Sequence, residues 1–316
     1  MQAEIGQLAE ARERLQGLVI QTPLVTWGEG LWLKCENAQV TGSFKLRGAL
    51  NKVLGLAEEE RASGVIAASA GNHGQGVAFA ARLVDASATI VVPDDAVRRK
   101  VEAIRRLGAE VIEVPGGYGA AEAYGRELAA ARGGTWVSPY NDMAVIAGQA
   151  TIGMEIREQF PAAGRGVVEV FVPVSGGGLV SGIGLALLST SGRYRVIGVQ
   201  PEHAAYMHAS FHGRDPRSVV ELPTVADALS GPYEDAAVTE EIVRRVVADI
   251  VLVSEEEILE ALGRAWRGQG LVMEPSSAVA LAAALRRPAG TDRVVVVSGG
   301  NVDRRLLADL GAPGGA

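Results

Sequence analysis

Residues 168–178 have the sequence VEVFVPVSGGG, a valine-rich run that ends in a cluster of glycines. The same order recurs at residues 65–74, VIAASAGNHG, and at residues 294–301, VVVVSGGN. Runs of Val and Ile without regular polar alternation are typical of strands buried on both faces, as in a parallel sheet. The three segments therefore predict parallel strands, each followed by a glycine-rich turn.

Segments with helical character fill the intervals between these strands. Apolar residues form one stripe in residues 97–107 and in residues 255–266, and residues 77–83 and 120–131 are rich in Ala. Strand and helix alternate along the chain, which predicts an α/β fold. Residues 312–316 are expected to form a frayed tail.

Composition and charge exclude several classes of protein. The chain has 316 residues, and its 30 basic and 37 acidic residues give a net charge of −7, which argues against a nucleic-acid-binding surface. Hydrophobic residues make up 48% of the chain, enough for a large core, yet no apolar run reaches the ~18 residues of a transmembrane helix. The charged N-terminal segment lacks the apolar stretch of a signal peptide, and a single cysteine, Cys35, excludes an internal disulfide. These features predict a soluble, cytoplasmic protein that binds neither nucleic acid nor membrane.

The glycine loop at residues 175–178 precedes the apolar segment 179–185 and predicts a strand–loop–helix unit. Consecutive glycines let backbone N–H groups converge, and a helix N-terminus adds the positive end of its dipole, so the loop suits a phosphate group. It lacks the Lys-Ser/Thr pair of a nucleotide-triphosphate loop. Close packing of an ordinary strand-to-helix turn explains the same glycines, so both interpretations stay open.

Lys45 lies among apolar residues and glycines in the segment TGSFKLRGA, residues 41–49. Desolvation in such a setting lowers the pKa of a lysine and exposes a neutral amine as nucleophile or base. A surface lysine at the start of a helix is an equally good interpretation. The segment by itself does not decide between the two.

Five segments taken together resemble the fold-type II pyridoxal-phosphate enzymes, and more narrowly the threonine/serine dehydratase and serine racemase family. In the order of that family, the segments are residues 33–49, 69–76, 175–178, 274–278 and 298–303. The similarity spans residues 22–303, nearly the whole chain. It implies two open-sheet α/β domains of the tryptophan synthase beta-like fold, with pyridoxal 5'-phosphate in the cleft between them.

The resemblance also implies which residues form the site. Lys45 would hold the cofactor as an internal aldimine and carry the Cα proton, and Ser69 would be the second catalytic residue. The residues implied for cofactor binding are Phe44, Lys45, Asn72, Gly176, Gly177, Gly178, Leu179, Glu274 and Ser298. The residues implied for substrate binding are Ser69, Ala70, Gly71, Asn72, His73 and Tyr140. Tyr140 is equally well explained as an ordinary loop aromatic.

More specific positions are implied for the cofactor ligands. Phe44 would pack behind the ring, and Asn72 would hydrogen-bond the ring hydroxyl oxygen. The amides of the glycine loop would hold the phosphate, and Ser298 would face the pyridine nitrogen. A hydroxyl fixes a proton on that nitrogen less firmly than a carboxylate does, which favours prompt loss of a β-substituent. The implied activity is a dehydratase that converts L-threonine, L-serine or a related β-hydroxy amino acid, through an aminoacrylate-type product, to a 2-oxo acid and ammonia.

Two departures from the family pattern refine this expectation. Ala70 replaces a second serine found in efficient racemases and has no proton to donate, so racemisation is expected only as a side activity. An amino-acid racemase or β-replacement enzyme of the same fold is the alternative. Gln200 and Tyr206 occupy the positions of two metal-binding carboxylates, so no metal site is expected. His203, His208 and His212 form no complete ligand set.

The remaining expectations concern domains and assembly. The resemblance implies a large domain of residues 1–50 and 146–316, a small domain of residues 51–145, and a homodimer. A non-catalytic nucleotide-binding module that uses only the glycine loop is a hypothesis from a different functional class. An absorption band that depends on Lys45 would exclude that hypothesis.

Overall fold

The structure of the chain is a computed structural model, and it describes residues 2–161, 166–188, 190, 192–288 and 290–311. The tail predicted at residues 312–316 lies outside the described residues. In chain order the strands are β1 (Leu24–Gly28), β2 (Leu31–Cys35), β3 (Val65–Ala68), β4 (Ala88–Pro93), β5 (Glu110–Val114), β6 (Thr135–Trp136), β7 (Val168–Pro173), β8 (Tyr194–Pro201), β9 (Asp249–Val253) and β10 (Arg293–Val297).

The helices alternate with these strands, as the sequence predicts. In chain order they are α1 (Gln2–Leu15), α2 (Lys45–Leu54), α3 (Glu58–Ala62), α4 (Asn72–Leu83), α5 (Arg98–Arg106), α6 (Tyr118–Arg132), α7 (Met143–Gln159), α8 (Gly178–Leu188), α9 (Tyr206–Phe211), α10 (Val238–Val246), α11 (Glu255–Gln269), α12 (Pro275–Leu285) and α13 (Arg304–Asp309). Among the described residues, no helix combines the length and the apolar character needed to cross a membrane.

The chain divides into two compact units. Unit 1 consists of Met1–Val19 and Lys45–Gln149, and unit 2 consists of Ile20–Phe44 and Ala150–Ala316. Residues 1–19, which we expected in the large domain, belong to unit 1 because Leu15 of α1 shares a core with α2. The limits of independently folding domains stay a prediction.

Unit 1 contains a four-stranded parallel sheet in the order β5-β4-β3-β6. Alternate residues of a strand point to opposite faces, and both faces of this sheet are covered. Ile90 packs with residues of α2, α4 and α5, whereas its neighbour Val91 packs with Ala121 of α6. The short Val-Ile-Ala-Ala strand β3 is buried along its whole length, which explains why it shows no polar alternation.

Unit 2 contains a six-stranded sheet in the order β1-β2-β10-β7-β8-β9. Only β1 pairs antiparallel, with β2, and the other neighbours are parallel. Val295 and Val297 of β10 face the core formed with α11 and α12, while Val294 and Val296 face the core formed with α8. Burial on both faces accounts for the valine-rich strands, and the α/β prediction is confirmed.

Candidate active site

In unit 2 the glycine loop and Ser298 lie at the carboxyl ends of neighbouring strands. β7 ends at Pro173 and is followed by the glycine loop, and its neighbour β10 ends at Val297, directly before Ser298. Ligand sites of open parallel sheets form at this edge, where loops connect strands to helices. The topology therefore brings the glycine loop and Ser298 to one edge of one sheet.

The glycine loop ends in helix α8, which begins at Gly178. The first N–H groups of a helix have no intrahelical acceptor, and the helix dipole makes this end positive. Gly177 adopts a left-handed backbone conformation with φ of 84°, which favours glycine. A Cβ atom there would lie 3.0 Å from Cβ of Thr239. The Thr239 hydroxyl donates to the carbonyl oxygen of Gly176 at 2.7 Å and so holds the loop in place.

Ser298 is held between two segments of unit 2. The backbone N–H of Phe44 donates to the Ser298 carbonyl at 3.0 Å, and Ser43 forms an isolated antiparallel bridge with Gly299. The Ser298 hydroxyl lies 3.0 Å from the Ser277 hydroxyl at the start of α12. Glu274, the N-cap residue of α12, donates its backbone N–H to the Gly299 carbonyl at 3.0 Å. Phe44, Glu274 and Ser298 are therefore neighbours.

In unit 1, Lys45 is the first residue of α2 and is half-buried. Its Nζ donates to the carbonyl oxygen of Pro139 at 2.9 Å. Helix α4 approaches this point closely, because a Cβ atom on Gly76 would lie only 3.2 Å from the Lys45 carbonyl oxygen. Lys45 therefore begins a helix and is half-buried, and its role as a reactive amine stays a prediction.

The turn from Ser69 to Gly71 connects the carboxyl end of β3 to α4, which begins at Asn72. The Ser69 hydroxyl accepts a hydrogen bond from the backbone N–H of Gly71 at 3.1 Å. Ser69 therefore keeps its own hydrogen for another acceptor. Together with the N-terminus of α4, this turn presents donors that suit a carboxylate.

His73 lies in the first turn of α4 and is 3% exposed. Its Nε2 lies 2.8 Å from the carbonyl oxygen of Val137, so Nε2 carries the hydrogen and Nδ1 is an acceptor. Burial, and secondarily the charge of Lys45, lower the pKa of His73 from 6.5 to about 3. The ring is therefore neutral at physiological pH and orients the turn rather than carrying charge.

The low pKa of His73 makes a pH dependence of stability predictable. Below pH 6.5 the unfolded chain takes up a proton that the folded chain excludes. The free energy of unfolding therefore falls as the pH drops from 6.5 toward 3, by at most about 1.4 kcal/mol per pH unit from this residue. Urea unfolding between pH 4.5 and 8 is expected to give a flatter pH dependence for His73→Gln than for the wild type. At pH 8 the imidazole is neutral in the folded and in the unfolded chain. The difference in free energy of unfolding between wild type and variant at this pH therefore gives the cost of altered packing. An equal pH dependence of the free energy of unfolding in both proteins would contradict the low pKa of His73.

Tyr140 follows Pro139, and its backbone N–H lies 3.4 Å from the Ser138 hydroxyl, which also accepts from Asn141 at 2.9 Å. The tyrosine is half-buried. Unit 1 thus groups Lys45, the turn at residues 69–73 and the loop at residues 138–141. Whether the Tyr140 ring contacts substrate stays a prediction.

The residues at the positions of family metal ligands have other partners. The Gln200 side-chain oxygen accepts from the His208 backbone N–H at 2.7 Å, and the Tyr206 hydroxyl donates to Glu221 at 2.8 Å. Nδ1 of His208 lies 2.8 Å from a guanidinium nitrogen of Arg214. Within the described ranges, no three His, Cys, Asp or Glu residues cluster as metal ligands do.

Two residues that support the site received no role from the sequence. Thr239 holds the glycine loop, and Ser277 contacts Ser298. Thr239 lies in no motif. Ser277 belongs to the segment at residues 274–278, and its place in a family motif was the only available signal.

Comparison with known proteins gives one family and close relatives. A family model described as pyridoxal-phosphate dependent enzyme matches residues 15–300. The L-threonine ammonia-lyase of Thermotoga maritima is 41% identical over 313 residues, covering 96% of this chain and 77% of the relative. The catabolic L-threonine dehydratase TdcB of Staphylococcus aureus strain N315 is 40% identical over 316 residues, covering 95% and 89%.

Among solved structures, the serine racemase of maize superposes with a TM-score of 0.86. It is 32% identical, and the superposition covers 96% of this chain and 95% of the racemase. The likeness of fold therefore extends over nearly the whole chain.

Proposed function

The chain belongs to the family of pyridoxal-phosphate-dependent enzymes, and on that premise we propose that it is a lyase that converts L-threonine, L-serine or a related β-hydroxy amino acid to a 2-oxo acid and ammonia. The names of the relatives, L-threonine ammonia-lyase and L-threonine dehydratase, support this activity. The observation that carries the proposal is the grouping of Lys45 with the turn at residues 69–73, where Ser69 offers a proton and Ala70 has none.

The residues fit the cofactor. At Gly177 a side chain would press on Thr239 and Met207 and shift the loop, and the N-terminus of α8 offers backbone donors to a phosphate. Pyridoxal phosphate, when bound, supplies an aldehyde for the substrate amino group and a ring that takes up electron density from Cα. We assign the phosphate to the amides of residues 176–179, and the ring to Phe44 and Ser298. Asn72 is assigned to the ring hydroxyl.

Lys45 has two roles in this proposal. Its Nζ would hold the cofactor through the aldehyde group, and the free amine would take the proton from Cα of the substrate. The hydrogen bond to the Pro139 carbonyl orients Nζ. Donors at Ser69 and at the N-terminus of α4 bind the substrate carboxylate, so that the Cα–H bond is presented to one basic group.

The net reaction balances without an oxidant or a second substrate. The Cα–H and Cβ–O bonds break, and the hydroxyl leaves as water after protonation. The released enamine rearranges to an imine, and water then adds and releases ammonia. The amino acid becomes a 2-oxo acid with no net change in water.

Racemisation is the second candidate, favoured by the structural likeness to maize serine racemase. Racemisation needs a proton donor on the face of Cα opposite the lysine. The methyl side chain of Ala70, next to Ser69, supplies none. We therefore expect elimination to exceed racemisation.

The experiment that tests the proposal measures 2-oxo acid release by purified, cofactor-loaded protein from L-threonine and L-serine with a chelator present. Sustained turnover with little D-serine supports the lyase. Formation of D-serine from L-serine in excess over keto acid would replace it by the racemase. A cofactor band without either product would reject these substrates and direct the search to other β-hydroxy amino acids or β-replacement. The expected homodimer and cytoplasmic location stay predictions.

Replacing Gly177 tests the assigned phosphate loop. Gly177→Ala is expected to weaken pyridoxal phosphate binding about tenfold, because displacement of the loop amides costs about one hydrogen bond to the phosphate, and ~1.4 kcal/mol corresponds to tenfold. The strained residue and its Cβ contact with Thr239 displace the loop amides. Titration of apo-protein with cofactor, followed by absorbance, measures the effect.

A matched control separates backbone strain from loop displacement. Gly213 has a similar φ of 74°, and a Cβ atom there would meet nothing within 4 Å. Gly213→Ala is expected to lose similar stability and keep cofactor affinity. Equal affinities of the two variants would argue against phosphate binding by this loop.

A further inference from the structure

We propose that Ser277 determines the direction of the Ser298 hydroxyl hydrogen and thereby shifts the ring nitrogen of bound pyridoxal phosphate toward its protonated form. The proposal rests on the assignment of Ser298 to the ring nitrogen under the proposed function. It makes Ser277 a positioning residue, since it acts through Ser298.

The Ser277 hydroxyl lies at the centre of a compact hydrogen-bond group. It is fully buried in the first turn of α12. Its Oγ accepts from the Gly299 backbone N–H at 2.8 Å and donates to the Gly299 carbonyl oxygen at 2.8 Å. The third neighbour is Ser298 Oγ, at 3.0 Å, and Ser298 is 4% exposed.

Counting hydrogens orients the pair. A serine hydroxyl has one hydrogen and two lone pairs. When the hydrogen of Ser277 points to the Gly299 carbonyl, Ser298 donates to Ser277, and all three contacts are hydrogen bonds. When the hydrogen of Ser277 points to Ser298 instead, Ser277 Oγ and the Gly299 carbonyl oxygen lie 2.8 Å apart with no hydrogen between them. The first arrangement has one more hydrogen bond and no such repulsion, so it is favoured.

In the favoured arrangement the Ser298 hydrogen is committed to Ser277. Ser298 can then only accept a hydrogen bond from another partner. A protonated ring nitrogen can donate such a bond. An unprotonated ring nitrogen cannot, because it needs a donor. Binding the unprotonated ring requires Ser298 to donate to the nitrogen. Either the bond from Ser298 to Ser277 is then lost, or the pair reverses and Ser277 gives up its bond to Gly299. Ser277 therefore favours the protonated ring, although far less than a carboxylate at the position of Ser298 would.

The test measures the ring nitrogen directly. Protein is loaded with pyridoxal 5'-phosphate labelled with ¹⁵N in the ring, and the ¹⁵N chemical shift is followed against pH. The Ser277→Ala variant is expected to lower the midpoint of the ring-nitrogen titration, changing the ratio of protonated to unprotonated ring about three- to tenfold, the equivalent of one net hydrogen bond. The Ser276→Ala variant is the matched control. Its hydroxyl lies in the same helical turn and is buried, and no acceptor or donor among the described residues contacts it.

Ser277→Ala also removes the acceptor of the Gly299 N–H, so thermal unfolding of each variant is measured alongside. Ser277→Cys keeps a weaker hydrogen-bonding group at this site and is expected to give an intermediate midpoint. If Ser277→Ala does not fold, the Ser277→Cys midpoint decides.

The outcomes distinguish this proposal from the proposed function. A lowered midpoint for Ser277→Ala but not for Ser276→Ala supports it. A midpoint that changes in Ser298→Ala but equals the wild type in Ser277→Ala and Ser277→Cys overturns it and leaves the proposed function intact. A midpoint unchanged in Ser298→Ala overturns the assignment of Ser298 and this proposal with it. If the wild-type protein does not bind pyridoxal 5'-phosphate, both proposals are overturned.

Discussion

Lys45→Ala is expected to reduce 2-oxo acid production by roughly 10³-fold or more, because one side chain both holds the cofactor and moves the Cα proton, and proton transfer alone contributes about 10²–10⁴-fold. The variant is also expected to lose the visible absorption band that the cofactor gives when bound through this lysine. Retention of the phosphate loop in unit 2 predicts that the variant still binds the cofactor, without the band. Single-turnover assays with L-threonine and absorption spectra of the loaded variant measure the two effects.

A second lysine of the same helix is the control. Lys52 lies two turns further along α2, and its Nζ pairs with Asp142 at 2.8 Å. Lys52→Ala is expected to keep the absorption band and nearly all activity. Lys45→Ala with normal turnover and an unchanged band would show that another group carries the chemistry. The non-catalytic nucleotide-binding hypothesis would return only if the wild type itself showed neither the band nor turnover.

Structural features that depend on residues adjacent in the chain were predictable from the sequence. β3, β7 and β10 are buried on both faces, and this burial leaves continuous runs of Val and Ile. The turns that follow them are rich in glycine because the backbone there bends sharply or, as at Gly177, adopts positive φ. The resemblance to a family, now shown by the comparisons, rests on these same segments.

Contacts between residues far apart in the chain were not predictable. Thr239 lies 63 residues after Gly176, and nothing in its neighbourhood distinguishes it from other threonines at a helix start. Ser276 and Ser277 are adjacent and chemically identical, yet only Ser277 has a hydrogen-bond partner among the described residues. A helix rotates each successive residue by about 100°, so one position decides which serine meets Ser298.

The buried charge pair of unit 2 is another contact that sequence patterns cannot show. Lys34 in β2 and Glu155 in α7 are 121 residues apart, with Nζ and Oε2 separated by 2.5 Å. Lys34 is fully buried, and its Nζ also donates to the Thr22 carbonyl at 2.6 Å and to Gln159 at 3.0 Å. An ammonium group makes three hydrogen bonds, and all three are made here.

Lys34→Met is expected to lower the free energy of unfolding by about 3–5 kcal/mol, because it removes the buried cation that pairs with the Glu155 carboxylate. Urea unfolding at pH 7 measures this value. Arg105→Met removes a cation from an exposed pair with Glu113, whose side chains are 42% and 47% exposed, and serves as the control with a much smaller effect.

The double variant Lys34→Met/Glu155→Leu separates the cost of losing one charge of the pair from the contribution of the pair itself. Taking both charges out of water carries a desolvation cost that the pair repays only in part, so apolar replacement of both is expected to recover most of the stability lost in Lys34→Met. A double variant as unstable as the single one would instead mean that the bonds from Lys34 to Thr22 and Gln159 stabilise this part of unit 2. A wild-type value for Lys34→Met alone would contradict a stabilising buried pair between Lys34 and Glu155.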